Sequence, residues 1–292
     1  MIPLLLEAHE MRLLEGLRLS PRRAFTGRVR GERLTRRTGV SIDFADYREY
    51  TEGDDLRHLD WNVLARLDSP VLKTYRDEED LALHLLVDAS ASMDFASPTK
   101  FELAQRLAAA LGLIGLAAGD AVFPRALGPK QAEPAPYRGR SAYPRLASWL
   151  RTLQPTEAPQ TLAVSLRQFA NAQVRTGVVV IFSDGMDPEV ANGIRTLGAR
   201  GHEIWFIQIL SNLEVDPDLE GDLRLLDADG GASVDITANG ATLKEYRRRF
   251  ELHCLSIQEA VLRVGGRYGR AMADERLDVT IRDLWRRDRW VQ

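Results

Sequence analysis

The sequence predicts an α/β protein built on a doubly wound, mainly parallel sheet flanked by helices, with an N-terminal segment wrapped on it. Three observations carry this. From Leu81 onward, short apolar runs that read as buried strands alternate with stretches of helical periodicity. Two of the apolar runs, Leu81–Val87 and Val178–Phe182, end on a carboxylate, Asp88 and Asp184. The first eighty residues lack this alternation and carry blocks of opposite charge instead.

In chain order, the strand Leu81–Asp88 leads to a helix over about Lys100–Ala118, whose apolar face is Ala104, Leu107, Ala108, Leu111 and Ile114. Gly119-Asp120 makes a turn into a strand, Ala121–Leu127, which Pro124 restricts to an edge or a bulge. Gly128–Gly139 holds three prolines and reads as a loop. Helices over Ser141–Leu153 and Leu162–Ala172 precede the strand Gly177–Phe182, the helix Pro188–Ala199 and the strand Glu203–Leu210. Gly201 fits the helix stop. A hairpin of Leu223–Leu226 and Ser233–Ile236 turns at Asp229-Gly230-Gly231. A long helix, Thr242–Arg263, shows Leu243, Tyr246, Phe250, Ile257 and Val261 on one face, and the tail Leu277–Trp290 carries another helix. The expected divisions are 1–80 for the N-terminal segment, 81–270 for the main domain and 271–292 for a helical tail.

In the N-terminal segment, Arg12–Arg37 is arginine-rich, and acids from Asp43 to Asp80 follow. The blocks read as a solvated face or as a docking surface for a protein. Ser41–Tyr50 and Val71–Tyr75 read as strands. Leu56–Arg66 reads as a short helix in which Arg57 pairs with Asp60 and Trp61 acts as an anchor.

With 292 residues, 45% hydrophobic and 28% charged, the composition is that of a globular protein able to bury a full core. A net charge of -3 and a basic run without interleaved aromatics argue against a nucleic-acid binder. The single cysteine, Cys254, excludes an internal disulfide and reads as a buried thiol in a helix. No stretch reads as a signal peptide or membrane span, the apolar run Leu107–Gly119 fitting a core helix better. A cytoplasmic location is therefore expected.

The chemistry concentrates in Asp88-Ala89-Ser90-Ala91-Ser92. Alternate residues of an extended segment point the same way, so one carboxylate and two hydroxyls converge. Oxygen ligands of this kind suit a hard divalent cation, Mg²⁺ or Mn²⁺. In doubly wound sheets, ligands bind at the carboxyl ends of strands, where Asp184 also lies. Thr161, just before an amphipathic helix, is the expected third hydroxyl, with a plain helix N-cap as its other reading; Thr156 and Ser165 are weaker choices. The proposed metal set is thus Asp88, Ser90, Ser92, Thr161 and Asp184. If the acids act through water and the hydroxyls bind directly, the cation keeps a position for a partner's carboxylate.

These residues resemble the metal-ion-dependent adhesion site of von Willebrand factor A domains. Upstream, Phe44-Ala45-Asp46-Tyr47-Arg48-Glu49-Tyr50, Gly53-Asp54-Asp55-Leu56-Arg57 and Asp60-Trp61 resemble the signature of a bacterial branch of that fold, the domain-of-unknown-function family fifty-eight. The combined signature runs from about Leu14 to Asp184. The resemblance implies a von Willebrand A-type, Rossmann-like fold. It also implies a MoxR-type AAA+ ATPase as partner, and a part in protein assembly or cell-envelope maintenance.

The leading expectation is a non-enzymatic, metal-dependent protein-interaction module. Alternatives are a Mg²⁺-dependent hydrolase using Asp88 and a scaffold with an empty site. Against a hydrolase, the histidines are scattered and no Gly-rich phosphate loop is present. Ser90 also lacks the glycines of a nucleophile elbow.

Overall fold

A computed structural model describes residues 5–23, 43–51, 54, 56, 59–76, 80–128, 133–156, 160–230 and 233–292, with backbone alone at 43–46 and 73–76. Most of the arginine run, Arg28 to Arg37, lies outside these residues, as do Gly53, Asp55 and Arg57 of the upstream signature. The chain forms two compact units, Met1–Phe25 with Leu81–Gln292, and Thr26–Asp80. The expected segment 1–80 therefore divides, its first residues belonging with the main sheet.

The main unit holds a six-stranded sheet. Its strands are β3 (Ala82–Asp88), β4 (Ala121–Leu127), β5 (Tyr137–Arg138), β6 (Val178–Ser183), β7 (Glu203–Leu210) and β10 (Arg267–Met272), in the order β10-β7-β6-β3-β4-β5. All neighbours are parallel except the short antiparallel β5. The chain leaves β3 toward β4 and returns to its other side at β6, so the order reverses beside β3. Pro124 sits in β4 beyond the two residues paired with β5, where one side of the strand needs no donor.

Helices cover both faces. β3, β6 and β7 send Leu83, Leu85, Val87, Val180, Phe182, Trp205 and Ile207 to one face, where they meet α3 (Lys100–Ala118), α4 (Tyr143–Thr152) and the tail residue Trp285. Their alternate residues Leu86, Val179, Ile181, Ile204 and Phe206 face α5 (Leu162–Asn171), α6 (Val190–Ala199) and α8 (Gly240–Arg263). This period-two division into two apolar clusters is what a sheet buried on both faces requires.

α3 is bounded as its pattern predicts. Thr99 and Glu102 form a capping box, and Gly119 ends the helix at φ 92°. With 19 residues and a mean hydropathy of 1.4, α3 has the length and composition to cross a bilayer, contrary to the expectation that no stretch would. It is packed inside the fold, its most apolar window 78% buried. α1 (Ala8–Leu14) lies on it through an ion pair of Glu10 with Arg106.

Two strands escape the sequence reading: the two-residue β5, which lies inside the expected loop Gly128–Gly139 and is too short to show a period, and β10. β10 has alternating burial but carries Arg267, Gly269 and Arg270, which mask it as a strand. Gly269 leaves room there for the side chain of Leu284, which lies where a Cβ would stand. The tail continues as α9 (Leu277–Thr280) and a π-helical turn to Arg286. Its end pairs back onto the N-terminal stretch at Leu19 and Val291. Between β7 and α8 lie the short α7 (Asn212–Val215) and a separate antiparallel hairpin, β8 (Gly221–Leu225) with β9 (Val234–Ala238).

The second unit contains an antiparallel pair, β1 (Asp43–Glu49) and β2 (Val71–Arg76), and the helix α2 (Trp61–Leu67). Asp60 caps α2 by accepting from the amides of Asn62 and Val63, and takes a 3.1 Å bond from the Tyr47 hydroxyl. The expected helix start at Leu56 thus moves to Trp61, and Asp60 serves as the cap. Trp61 stands on the first turn of α2.

Candidate metal centre

β3 and β6 are neighbours in register, Val87 beside Phe182, so both chains leave the sheet side by side at its carboxyl edge. Asp88 ends β3 and Asp184 follows β6; both are buried. The Asp88 carboxylate is fixed by two donors. Its Oδ1 accepts the Ser90 amide at 3.1 Å and its Oδ2 accepts the Ser183 hydroxyl at 2.5 Å. Burial, and then the charge of Asp184, raise its pKa above the ordinary carboxylate range, with the bonds from Ser183 and Ser90 opposing.

The loop after β3 carries the hydroxyls. Ser90 is extended, and its Oγ lies 3.0 Å from that of Ser92. Thr156 pairs with this loop through its backbone, its amide donating to Ala89 at 3.0 Å. Thr161 stands at the N-cap of α5 but makes no side-chain cap bond. Asp187, from the loop after β6, takes over that role, its Oδ2 accepting the Ala163 amide at 2.7 Å. A cap supplied from 24 residues away leaves no local pattern, so the sequence does not mark Asp187 for this role.

Asp88, Ser90, Ser92, Thr161 and Asp184 all line one cavity of about 630 Å³. Ser165 lines it as well, whereas Thr156 is not among its lining residues. The cavity thus gathers all five residues expected to meet. Among the described residues no three His, Cys, Asp or Glu side chains cluster as a metal site would. Any cation here would depend on hydroxyls as much as on acids.

Lys100 is the partner that the sequence reading missed. Fully buried at the first turn of α3, it donates to Asp184 Oδ2 at 2.7 Å and also to the Glu214 carboxylate of α7. Burial would push this ammonium down, but the two carboxylates outweigh it and hold its pKa above the ordinary lysine value. A cation at a helix N-terminus opposes the helix dipole, so these acids are what keep it there. A signal existed: Lys100 falls four, seven and eleven residues before Ala104, Leu107 and Leu111, in line with the buried face.

The other oxygen of Asp184, Oδ1, accepts the Met186 amide at 3.1 Å. Between them Gly185 takes φ 70°, where a Cβ would meet Ile257 of α8 at 2.8 Å. His253 of α8 bonds the Gly185 carbonyl at 2.7 Å, fixing the turn from the helix side.

The family model described as "Protein of unknown function DUF58" matches residues 46–256, which span the cavity and most of the sheet. The chain belongs to this family. Its curated relatives include the uncharacterized protein Rv1480 of Mycobacterium tuberculosis and the uncharacterized protein Mb1516 of Mycobacterium bovis. Each is 28% identical over 257 residues, covering 85% of this chain and 80% of the relative. Among solved structures, the conserved hypothetical protein BatB of Bacteroides thetaiotaomicron aligns at a TM-score of 0.44 and 15% identity, over 66% of this chain and 90% of that one. An aerotolerance-related membrane protein of Bacteroides fragilis aligns at 0.42 and 16%, over 65% and 91%.

Proposed function

We propose that this member of the family is a metal-dependent protein-recognition module. The observation that carries the reading is the hydroxyl of Thr161. Asp187 relieves it of helix capping, which leaves it to the cavity that Ser90 and Ser92 share. The donor set, three hydroxyls and two carboxylates, suits a hard cation.

In this reading Ser90, Ser92 and Thr161 hold Mg²⁺ or Mn²⁺ directly, and Asp88 and Asp184 act through water. A bound divalent cation supplies Lewis acidity and one coordination position that a partner's carboxylate completes. The chain's own part is orientation. Ser183 and the Ser90 amide aim Asp88, while Lys100 and the Met186 amide hold Asp184. Recognition by shared ligation breaks no bond and calls for no general base.

The implied partner is a MoxR-type AAA+ ATPase in the cytoplasm, in protein assembly or envelope maintenance; the family resemblance supports this choice. Calorimetric titration with Mg²⁺ and Mn²⁺ tests the site, with uptake by the wild type and at least tenfold weaker uptake by Ser90→Ala as the expected result. A pull-down with and without EDTA tests the partner. Recovery of the ATPase only when metal is present is expected, and equal recovery on Asp88→Ala would count against the reading.

One observation favours a second reading, a scaffold that needs no metal. Lys100 already places a positive charge beside Asp184. If neither cation is taken up while the ATPase is still recovered in EDTA, the scaffold stands and the metal site falls.

A further inference from the structure

One wall of the cavity comes from a distant part of the chain. The turn of the β8–β9 hairpin contributes Leu226, Asp227, Asp229 and Gly230 to its lining. Asp229 Oδ1 accepts the backbone N–H of Ser92 at 3.0 Å, across 137 residues of sequence. A carboxylate of the chain itself is therefore docked on the loop that would receive a partner's acid. Asp227 sets it there, its Oδ1 accepting the Asp229 amide at 3.0 Å.

The hairpin is built to let go. It forms a two-stranded sheet apart from the main one, an arrangement of marginal stability in water. Its side-chain bonds Arg224–Ser233 and Thr237–Asp222 lie within the hairpin, and among the described residues only its base is tied to α8, where the Thr242 hydroxyl donates to the Thr237 carbonyl. Leu226 at the tip is 76% exposed and Val234 56%, so little apolar burial holds the tip down. The bond to Ser92 is itself exposed to water.

We propose that the β8–β9 hairpin is an internal competitor for this site: Asp229 latches the tip to the Ser92 loop, and a partner's carboxylate enters by displacing it. The proposal rests on the metal-dependent reading above and adds its regulation. A tethered acid acts at an effective concentration on the order of millimolar, so a weak contact suffices to hold off a dilute partner. A site closed nine-tenths of the time weakens the apparent affinity about tenfold. The same latch discriminates, because a partner must offer both a carboxylate and contacts that pull the tip away.

The test compares the full chain with Asp229→Ala and with Glu220→Gln, which removes a charge from an exposed residue just before β8, outside the cavity lining. Three quantities are measured: Mg²⁺ uptake by calorimetry, hydrogen exchange of the Ser92 amide without ligand, and binding of a fluorescent aspartate-containing peptide at saturating Mg²⁺. Asp229→Ala should speed Ser92 exchange and tighten peptide binding by about tenfold, with Glu220→Gln close to wild type. Mg²⁺ uptake with unchanged peptide affinity in Asp229→Ala overturns the latch alone. An equal gain in Glu220→Gln also overturns it, since bulk charge then explains the effect. No Mg²⁺ uptake by any of the three overturns the metal reading and the latch with it.

Discussion

The two ends of the central sheet bury ionisable groups in different settings. At the amino end, His84 is buried with its Nε2 bonded to the Arg175 carbonyl at 2.8 Å, and stacks on Phe123. Nearby Glu203 accepts from the Trp205 indole at 2.7 Å and from the Arg23 amide at 2.8 Å. His84 is satisfied by a backbone carbonyl, and Glu203 takes two uncharged donors besides the cation Arg267 at 3.6 Å; neither lines the cavity that holds Asp88. At the carboxyl end, Lys100 balances Asp184 and Glu214, and Asp88 stands beside them on Ser183 and the Ser90 amide, at an open space rimmed with hydroxyls. Burial of charge alone therefore does not mark a site; the informative feature is charge balanced by charge beside a cavity.

The largest effect that would break this contrast is at Lys100. Lys100→Met leaves Asp184 and Glu214 without their cation and should cost about 3–5 kcal/mol in urea unfolding. Adding Glu214→Gln should recover part of the loss. A cost below about 1 kcal/mol would mean that water, not Lys100, balances the acids, and would erase the difference between the two ends.

His84 sharpens the other side. Burial, the largest cause, lowers its pKa from 6.5 to about 4, with His202 and Arg125 adding to the shift and the Arg175 carbonyl opposing it. As pH falls below about 6.5 the unfolded chain gains a proton here that the folded chain refuses until about pH 4. Stability is therefore lost across that window, on the order of 3 kcal/mol by its lower end. His84→Gln keeps an N–H donor and should remove this component from a plot of unfolding free energy against pH. Asp120, raised to about 6 by burial, works in the opposite direction: its stabilisation grows as pH falls from about 6 to 4. The difference between wild type and variant isolates the histidine, and parallel curves would refute its role.

The smallest effect separates Thr161 from Asp187. Asp187→Ala should cost about 1 kcal/mol by uncapping α5, whereas Thr161→Val should stay within about 0.5 kcal/mol in the same unfolding experiment. The order of costs reverses if Thr161 is the cap. Under the proposed function Thr161→Val instead weakens Mg²⁺ uptake, which calorimetry reads directly.

Much of the fold was legible because its signals are local. The bounds of α3 follow from Thr99, Glu102 and Gly119, all within a turn of its ends. β3, β6 and β7 are continuous apolar runs because helices cover both faces. β10 was missed because an edge strand tolerates the arginines and glycine that disguise it. The five residues expected to meet were each marked by a strand end or a helix start. What the sequence concealed were the long-range partners: Lys100 reaching Asp184 across 84 residues, Asp187 capping a helix that precedes it, and Asp229 bonded to Ser92. No periodicity records a contact between elements far apart in the chain.

The pairing of β3 with β6 has one more consequence. Neighbouring strands keep a spacing of about 4.8 Å, and both of these are interior strands with fully buried residues. The stems that carry Asp88 and Asp184 are thereby set on a rigid ruler, whereas the hydroxyls and the hairpin tip ride on connecting segments. Engineering that reshapes those segments can retune what the cavity accepts and leave the gauge between its two acids untouched.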